Sequence, residues 1–151
     1  MRFLILLLLA NITFAEISYK LGLGSCLHQD YPAPAWASLK KESIDSFFFL
    51  GDNIYGDVPS GKLDNIKLSY KKLNTQMPEW LKKTEKLVIW DDHDYGLNDA
   101  GANYIYKVQS QQIYNDAWNI DQNDPRRSRE GIYFSELKDI QGKKILFIGL
   151  D

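Results

Sequence analysis

Residues 90–96 read Trp-Asp-Asp-His-Asp-Tyr-Gly and follow the apolar run Leu87-Val88-Ile89. Three carboxylates and an imidazole at the end of a buried strand are costly to desolvate, so such clusters usually meet a cation. Asp92-His93 suits a ligand beside an acid or base, because imidazole exchanges protons near neutral pH. Asp91 and Asp94 could hold a second cation or orient His93 through a hydrogen bond. The alternative is an aspartate-rich turn solvated at the surface.

Two further segments carry the same kind of chemistry. Gly51-Asp52-Asn53-Ile54-Tyr55 follows the run Phe47-Phe48-Phe49-Leu50. Gly51 allows a tight turn that points Asp52 into a crevice. Tyr55, three residues on, is a phenol that a strong Lewis acid can deprotonate, and trivalent iron favours the phenolate. Cys26-Leu27-His28 places a thiol and an imidazole two residues apart, on one side of an extended segment. A turn aspartate, a core tyrosine, a buried thiol and a surface histidine are the competing readings.

The elements that must position these residues follow from the pattern of apolar positions. Ile17 to Leu23, Phe47 to Leu50 and Leu87 to Trp90 read as strands, the last two covered on both faces. Pro34 to Glu42 reads as a short helix with proline in its first turn. Leu63, Ile66, Tyr70 and Leu73 recur at the spacing of one helix face, and residues 103–119 are expected to be helical. Gly131 to Ser135 and Lys144 to Leu150 read as two more strands, with a turn at Gln141-Gly142. Strands alternating with helices point to an α/β layered fold, in which ligands sit beyond the carboxyl ends of the strands. All three polar segments fall at such ends.

Composition narrows the function classes. The chain has 151 residues, 44% hydrophobic and 25% charged, which suits one globular domain. A net charge of −2 offers no basic footprint for nucleic acid. Residues 1–15 combine Arg2, the apolar run Phe3 to Ala10, and Thr13-Phe14-Ala15 with small residues at −3 and −1. This is the pattern of a secretory signal peptide, too short for a membrane span, and it implies export to the periplasm or the extracellular space. A buried N-terminal strand is the alternative. No other segment is apolar enough to span a bilayer. The single cysteine, Cys26, excludes an internal disulfide; the thiol is buried, free, intermolecular, a ligand, or a lipid anchor.

The blocks Gly24-Ser25-Cys26, Gly51-Asp52-Asn53-Ile54-Tyr55-Gly56-Asp57 and Ile89 to Gly101, together with Arg126 to Tyr133, resemble the PhoD-like (alkaline phosphatase D-like) metallophosphatases. These belong to the calcineurin-like metallophosphoesterase superfamily, and the resemblance runs from about Ile17 to the last residue. It implies an α/β/β/α sandwich and hydrolysis of small-molecule phosphate monoesters or diesters at a centre of Fe3+ and Ca2+. By this resemblance Cys26, Asp52 and Tyr55 would hold iron, and Asp52 would bridge to calcium. Asp92 takes the place of a metal-binding asparagine, with Asp91 a weaker ligand candidate. His93 takes the place of the histidine that contacts phosphate and protonates the leaving group. The superfamily's Asp-x-His is here Cys26-Leu27-His28, and its Gly-Asp-x-x-Asp is Gly-Asp-x-x-Tyr. Both departures agree with the PhoD-like branch and weigh against a simple zinc or manganese centre; other divalent metals such as Zn2+, Mn2+ or Mg2+ are the alternative. His28 is either a ligand or a substrate contact. Asn98, Arg126 and Arg127 are candidate phosphate contacts, the arginines by bidentate hydrogen bonds, with solvated loop residues as the alternative.

The resemblance also implies a domain that continues past Asp151 into loops bearing further histidine and aspartate ligands. Residues 16–151 are therefore expected to be the N-terminal part of a catalytic domain. They would act with a missing C-terminal half or stand as an inactive fragment. A third reading is an exported calcium-binding module that uses Asp91, Asp92, Asp94 and Asp99 without chemistry.

Overall fold

The computed structural model describes residues 18–151. The expected signal peptide over 1–15 and the start of the first strand at Ile17 lie outside these residues. Among the described residues, no helix is long and apolar enough to cross a membrane.

Three strands, β1 (Leu21–Gly24), β2 (Ser46–Leu50) and β3 (Glu85–Ile89), form a parallel sheet in the order β1-β2-β3. Helix α1 (Ala35–Glu42) joins the first two, and α2 (Asp64–Gln76) with the short α3 (Glu79–Lys83) joins the last two. The expected strands and helices are present here, with β1 starting later than its apolar run suggests. One turn of helix, α4 (Asp92–Tyr95), follows β3 directly, and α5 (Lys107–Ala117) comes next. After a 3₁₀ turn over Pro125–Arg127, β4 (Phe134–Ile140) and β5 (Lys143–Gly149) form an antiparallel hairpin. Its turn is Gln141-Gly142, both with positive φ as a two-residue hairpin turn requires. The fourth strand therefore lies three residues later than expected and runs to Ile140.

The central strand explains the layering. Phe47, Phe48 and Phe49 are all buried, and alternate side chains point to opposite faces. Phe47 and Phe49 face the helical layer, where Ile66, Tyr70 and Leu73 of α2 meet Leu81 and Tyr114. Their rings stack edge to face with centroids 4.6 Å apart. Phe48 and Leu87 face the other way and pack against Phe147 and Phe134 of the hairpin. A helical layer, a parallel sheet and an antiparallel hairpin are thus the described layers, an α/β architecture.

Space for the Phe47 ring comes from β1. A Cβ at Gly22 would lie 2.5 Å from Phe47 Cδ2, and one at Gly24 would lie 2.8 Å from Phe47 Cζ. Two glycines on one face of an edge strand thus admit a phenylalanine from its neighbour. Burying a side chain of that size stabilises the fold by about 1.5–3 kcal/mol.

Candidate metal centre

Because β1, β2 and β3 are adjacent and parallel, their carboxyl ends open on one side. The backbone pairing continues into the loops: Leu27 N–H donates to Asp52 O at 2.8 Å, and Cys26 N–H donates to Gly51 O at 3.3 Å. Gly51 has φ 93° and sits against the third loop, where an added Cβ would meet Asp91 Cβ at 2.8 Å and Asp91 N at 3.0 Å. Only a glycine permits both that turn and that approach.

The donor atoms converge on Asp52. Tyr55 donates its hydroxyl to Asp52 Oδ2 at 3.0 Å, and the Cys26 thiol donates to the same oxygen at 3.8 Å. Donor atoms of Asp52, Asp92 and His93 all lie within 4.8 Å of one another. Asp52 Oδ1 is buried and has no hydrogen-bond partner among the described residues. A buried carboxylate oxygen left unpaired is the atom a cation would satisfy. Thiolate, carboxylate and phenolate together suit iron(III), so the residues present fit the expected group.

The electrostatics point the same way. Burial, the neighbouring thiol and the Asp52 carboxylate hold the Tyr55 hydroxyl well above the usual phenol range. Without positive charge the phenol keeps its proton; a nearby cation reverses that preference. Burial alone would lower the His93 pKa. Its hydrogen bond to Asp57 and the charges of Asp57, Asp52 and Asp92 outweigh burial and raise it.

Cys26 and Asp52 both have left-handed backbone, with φ 56° and 50°. Such conformations cost non-glycine residues about 1–2 kcal/mol each and gather at functional positions. Relieving one of them separates stability from function. Cys26→Gly is expected to leave stability unchanged or raise it by about 1 kcal/mol, while iron(III) affinity falls. Paired thermal melts and iron titrations check this; a stability loss above about 1 kcal/mol would show the thiol itself holds the loop.

No family model matches the chain, and no curated protein or solved structure matches it. Geometry alone therefore shows where each expected site residue sits and what it touches.

Asp91, Asp92 and Asp94, side by side in sequence, have three different tasks. Asp91 caps helix α4, its Oδ1 accepting from Asp92 N–H at 2.9 Å. Asp94 is its capping-box partner and is fully buried. Asp92 is the member placed beside Asp52, held by Asp99 N–H on Oδ2 at 2.6 Å. His28 lies flat on the Tyr55 ring, with centroids 5.0 Å apart and planes 7° apart. Its Nδ1 accepts from Asp30 N–H at 3.2 Å, which leaves Nε2 as the free ring nitrogen.

Each candidate phosphate contact has a partner within the chain. Arg126 pairs with Asp124, which also caps the 3₁₀ turn, and lies over the Phe134 ring. Arg127 donates to the carbonyls of Asn115 and Ile120 and pairs with Asp116. These contacts fasten the segment after α5 to that helix. Asn98 donates to Asp99 Oδ2 at 2.6 Å.

One site residue escaped the sequence reading. Asp57 Oδ1 lies 2.7 Å from His93 Nδ1 and fixes that ring. Its position in Gly56-Asp57, just past the Tyr55 segment, was visible; its pairing with a residue on another strand's loop was not. Beside Asp92 a cleft of about 720 Å³ opens, lined by Trp90, Tyr95, Lys107 and Arg129 among others.

Proposed function

We propose that the chain carries the cation-binding wall of a phosphoester hydrolase of the PhoD-like type, within an α/β/β/α sandwich. The observation that supports this most is the convergence of Cys26, Asp52, Tyr55, Asp92 and His93 from three strand ends on the Asp52 carboxylate, whose Oδ1 is buried without a partner among the described residues. Cys26, Asp52 and Tyr55 would hold iron(III), and Asp52 and Asp92 would share calcium. Bound cations supply Lewis acidity toward the phosphoryl oxygens and lower the pKa of a bound water.

The chain's own groups do the rest. Asp57 accepts from His93 Nδ1 and sets the ring's orientation and tautomer. That leaves the opposite ring nitrogen to deliver a proton to the leaving oxygen. The cleft beside Asp92 would take the organic part of the ester, with Lys107, which pairs with Glu130, Arg127 and Arg129 in its lining. In this reading the protein works outside the cytoplasm, and ligands from a further segment would complete the centre.

The calcium-module reading has less support. It needs the carboxylates of Asp91 and Asp94, and these are taken up by the cap of α4 and by buried donors.

Hydrolysis of p-nitrophenyl phosphate and of its bis ester by the protein with its completing segment present, and with iron(III) and calcium supplied, tests the proposal. Asp52→Asn and His93→Ala are each expected to lower turnover by about 100-fold or more. Turnover near the wild-type rate from both variants would overturn it.

A further inference from the structure

Tyr55 does not hold its place alone. Gln29, on the first loop, is 4% exposed and grips the Tyr55 backbone from both sides. Its Oε1 accepts from Tyr55 N–H at 2.8 Å, and its Nε2 donates to Tyr55 O at 2.8 Å. The same Nε2 reaches Ser69 Oγ at 3.2 Å and Asp30 Oδ2 at 3.3 Å. A carboxamide offers a donor and an acceptor side by side, as a peptide group does. Gln29 thus pairs with Tyr55 as a neighbouring strand would, in a loop that has no neighbouring strand there.

The packing below leaves this clasp little slack. Ser69 lies under Gly56, where an added Cβ would come within 2.5 Å of Ser69 Oγ and 2.9 Å of Asn65 O. Two imidazoles pack against the Tyr55 ring: His28 stacks on it at 5.0 Å between centroids, and His93 lies at 4.2 Å with its plane tilted by 43°. With its ring packed by two imidazoles and its backbone clasped, the hydroxyl is directed at Asp52.

We propose that Gln29 is a positioning residue for the cation centre: its carboxamide fixes the Tyr55 backbone so that the phenol meets the cation held by Asp52. This rests on the reading of Tyr55 as a ligand. Partners that orient a ligand from outside the donor set typically contribute 10–100-fold in metal affinity.

The test uses the full chain titrated with iron(III) and followed by visible absorption, where a tyrosinate–iron pair gives a charge-transfer band. Gln29→Met keeps the volume and removes both hydrogen bonds. Gln29→Glu keeps the acceptor for Tyr55 N–H and loses the donor to Tyr55 O. Both variants are expected to bind iron(III) about 10-fold or more weakly, with a shifted or weakened band, while their melting curves stay cooperative. If a variant fails to fold, the other carries the measurement. Wild-type affinity and band from folded Gln29→Met would overturn the positioning role. A wild-type chain that forms no such band would instead overturn the ligand role of Tyr55, and the positioning role with it.

Discussion

Asp94→Ala is expected to destabilise the chain by about 3–5 kcal/mol, a large part of a domain's usual margin. Asp94 is fully buried and collects four donors. Its Oδ2 accepts from Asn53 N–H at 3.0 Å, Asn53 Nδ2 at 3.2 Å and Asp91 N–H at 3.2 Å. Its Oδ1 accepts from Tyr70 hydroxyl at 2.8 Å. Alanine would strand these donors in the core, at about 1–3 kcal/mol for each one left unsatisfied. Relaxation and entering water would recover part of that cost. The same carboxyl joins the second loop, through Asn53, to the third, through Asp91. Losing it should therefore separate Asp52 from Asp92 as well as loosen α4. Urea denaturation followed by circular dichroism measures the effect. A loss below about 1 kcal/mol would show that the loops are held together by something else.

The same group should set the pH dependence of the metal-free chain. Burial pushes the Asp94 carboxyl up to about 7 from its ordinary 3.8, against the pull of its donors. Between those values the folded chain keeps a proton that the unfolded chain has released. Stability is therefore greatest, in this respect, below pH 3.8 and declines as pH rises to about 7. Above that both states are ionised and the trend flattens. The full difference is on the order of 4 kcal/mol. His93, whose pKa is also raised, acts in the same direction. The Asp124 carboxyl, held low by Arg126, acts in the opposite direction, with stability lost as pH falls below its ordinary range. Comparing wild type with Asp94→Asn isolates the buried carboxyl. The variant should lack most of the decline between about pH 4 and pH 7. Parallel curves for the two proteins would refute the assignment.

The arrangement of the site was largely readable before the structure, and for a physical reason. Apolar runs end where strands end, and Asp52 and Asp92 each follow a continuous one, Cys26 an interrupted one. Parallel neighbours then bring those ends together without any further information. What stayed hidden depends on partners far away in the chain. Asp91, Asp92 and Asp94 are chemically alike, and only packing against Asn53 and Tyr70 makes Asp94 the buried one. A four-residue helix shows no periodicity, so α4 read as a loop. The partners of Arg127 were equally hidden, because nothing local reveals that Asn115 and Ile120 present carbonyls to it. The β4 boundary shifted because Ile132, apolar and buried, is held by the Asp151 carboxylate, ahead of the ladder. The ladder itself runs through Glu136, Lys138 and Asp139, which carry no apolar signal.

The parallel order of the three strands has a kinetic consequence. Cys26 and Asp52 are 26 residues apart, and Asp57 and His93 are 36 apart. No short stretch of chain holds a working set of donors. Each pair meets only after an intervening helix has crossed back over the sheet, so the loop entropy is spent before any cation can help. On the proposed reading, a cation could not nucleate this fold. It would find the site late and act mainly by holding the finished sheet against opening, as an unfolding brake more than a folding template.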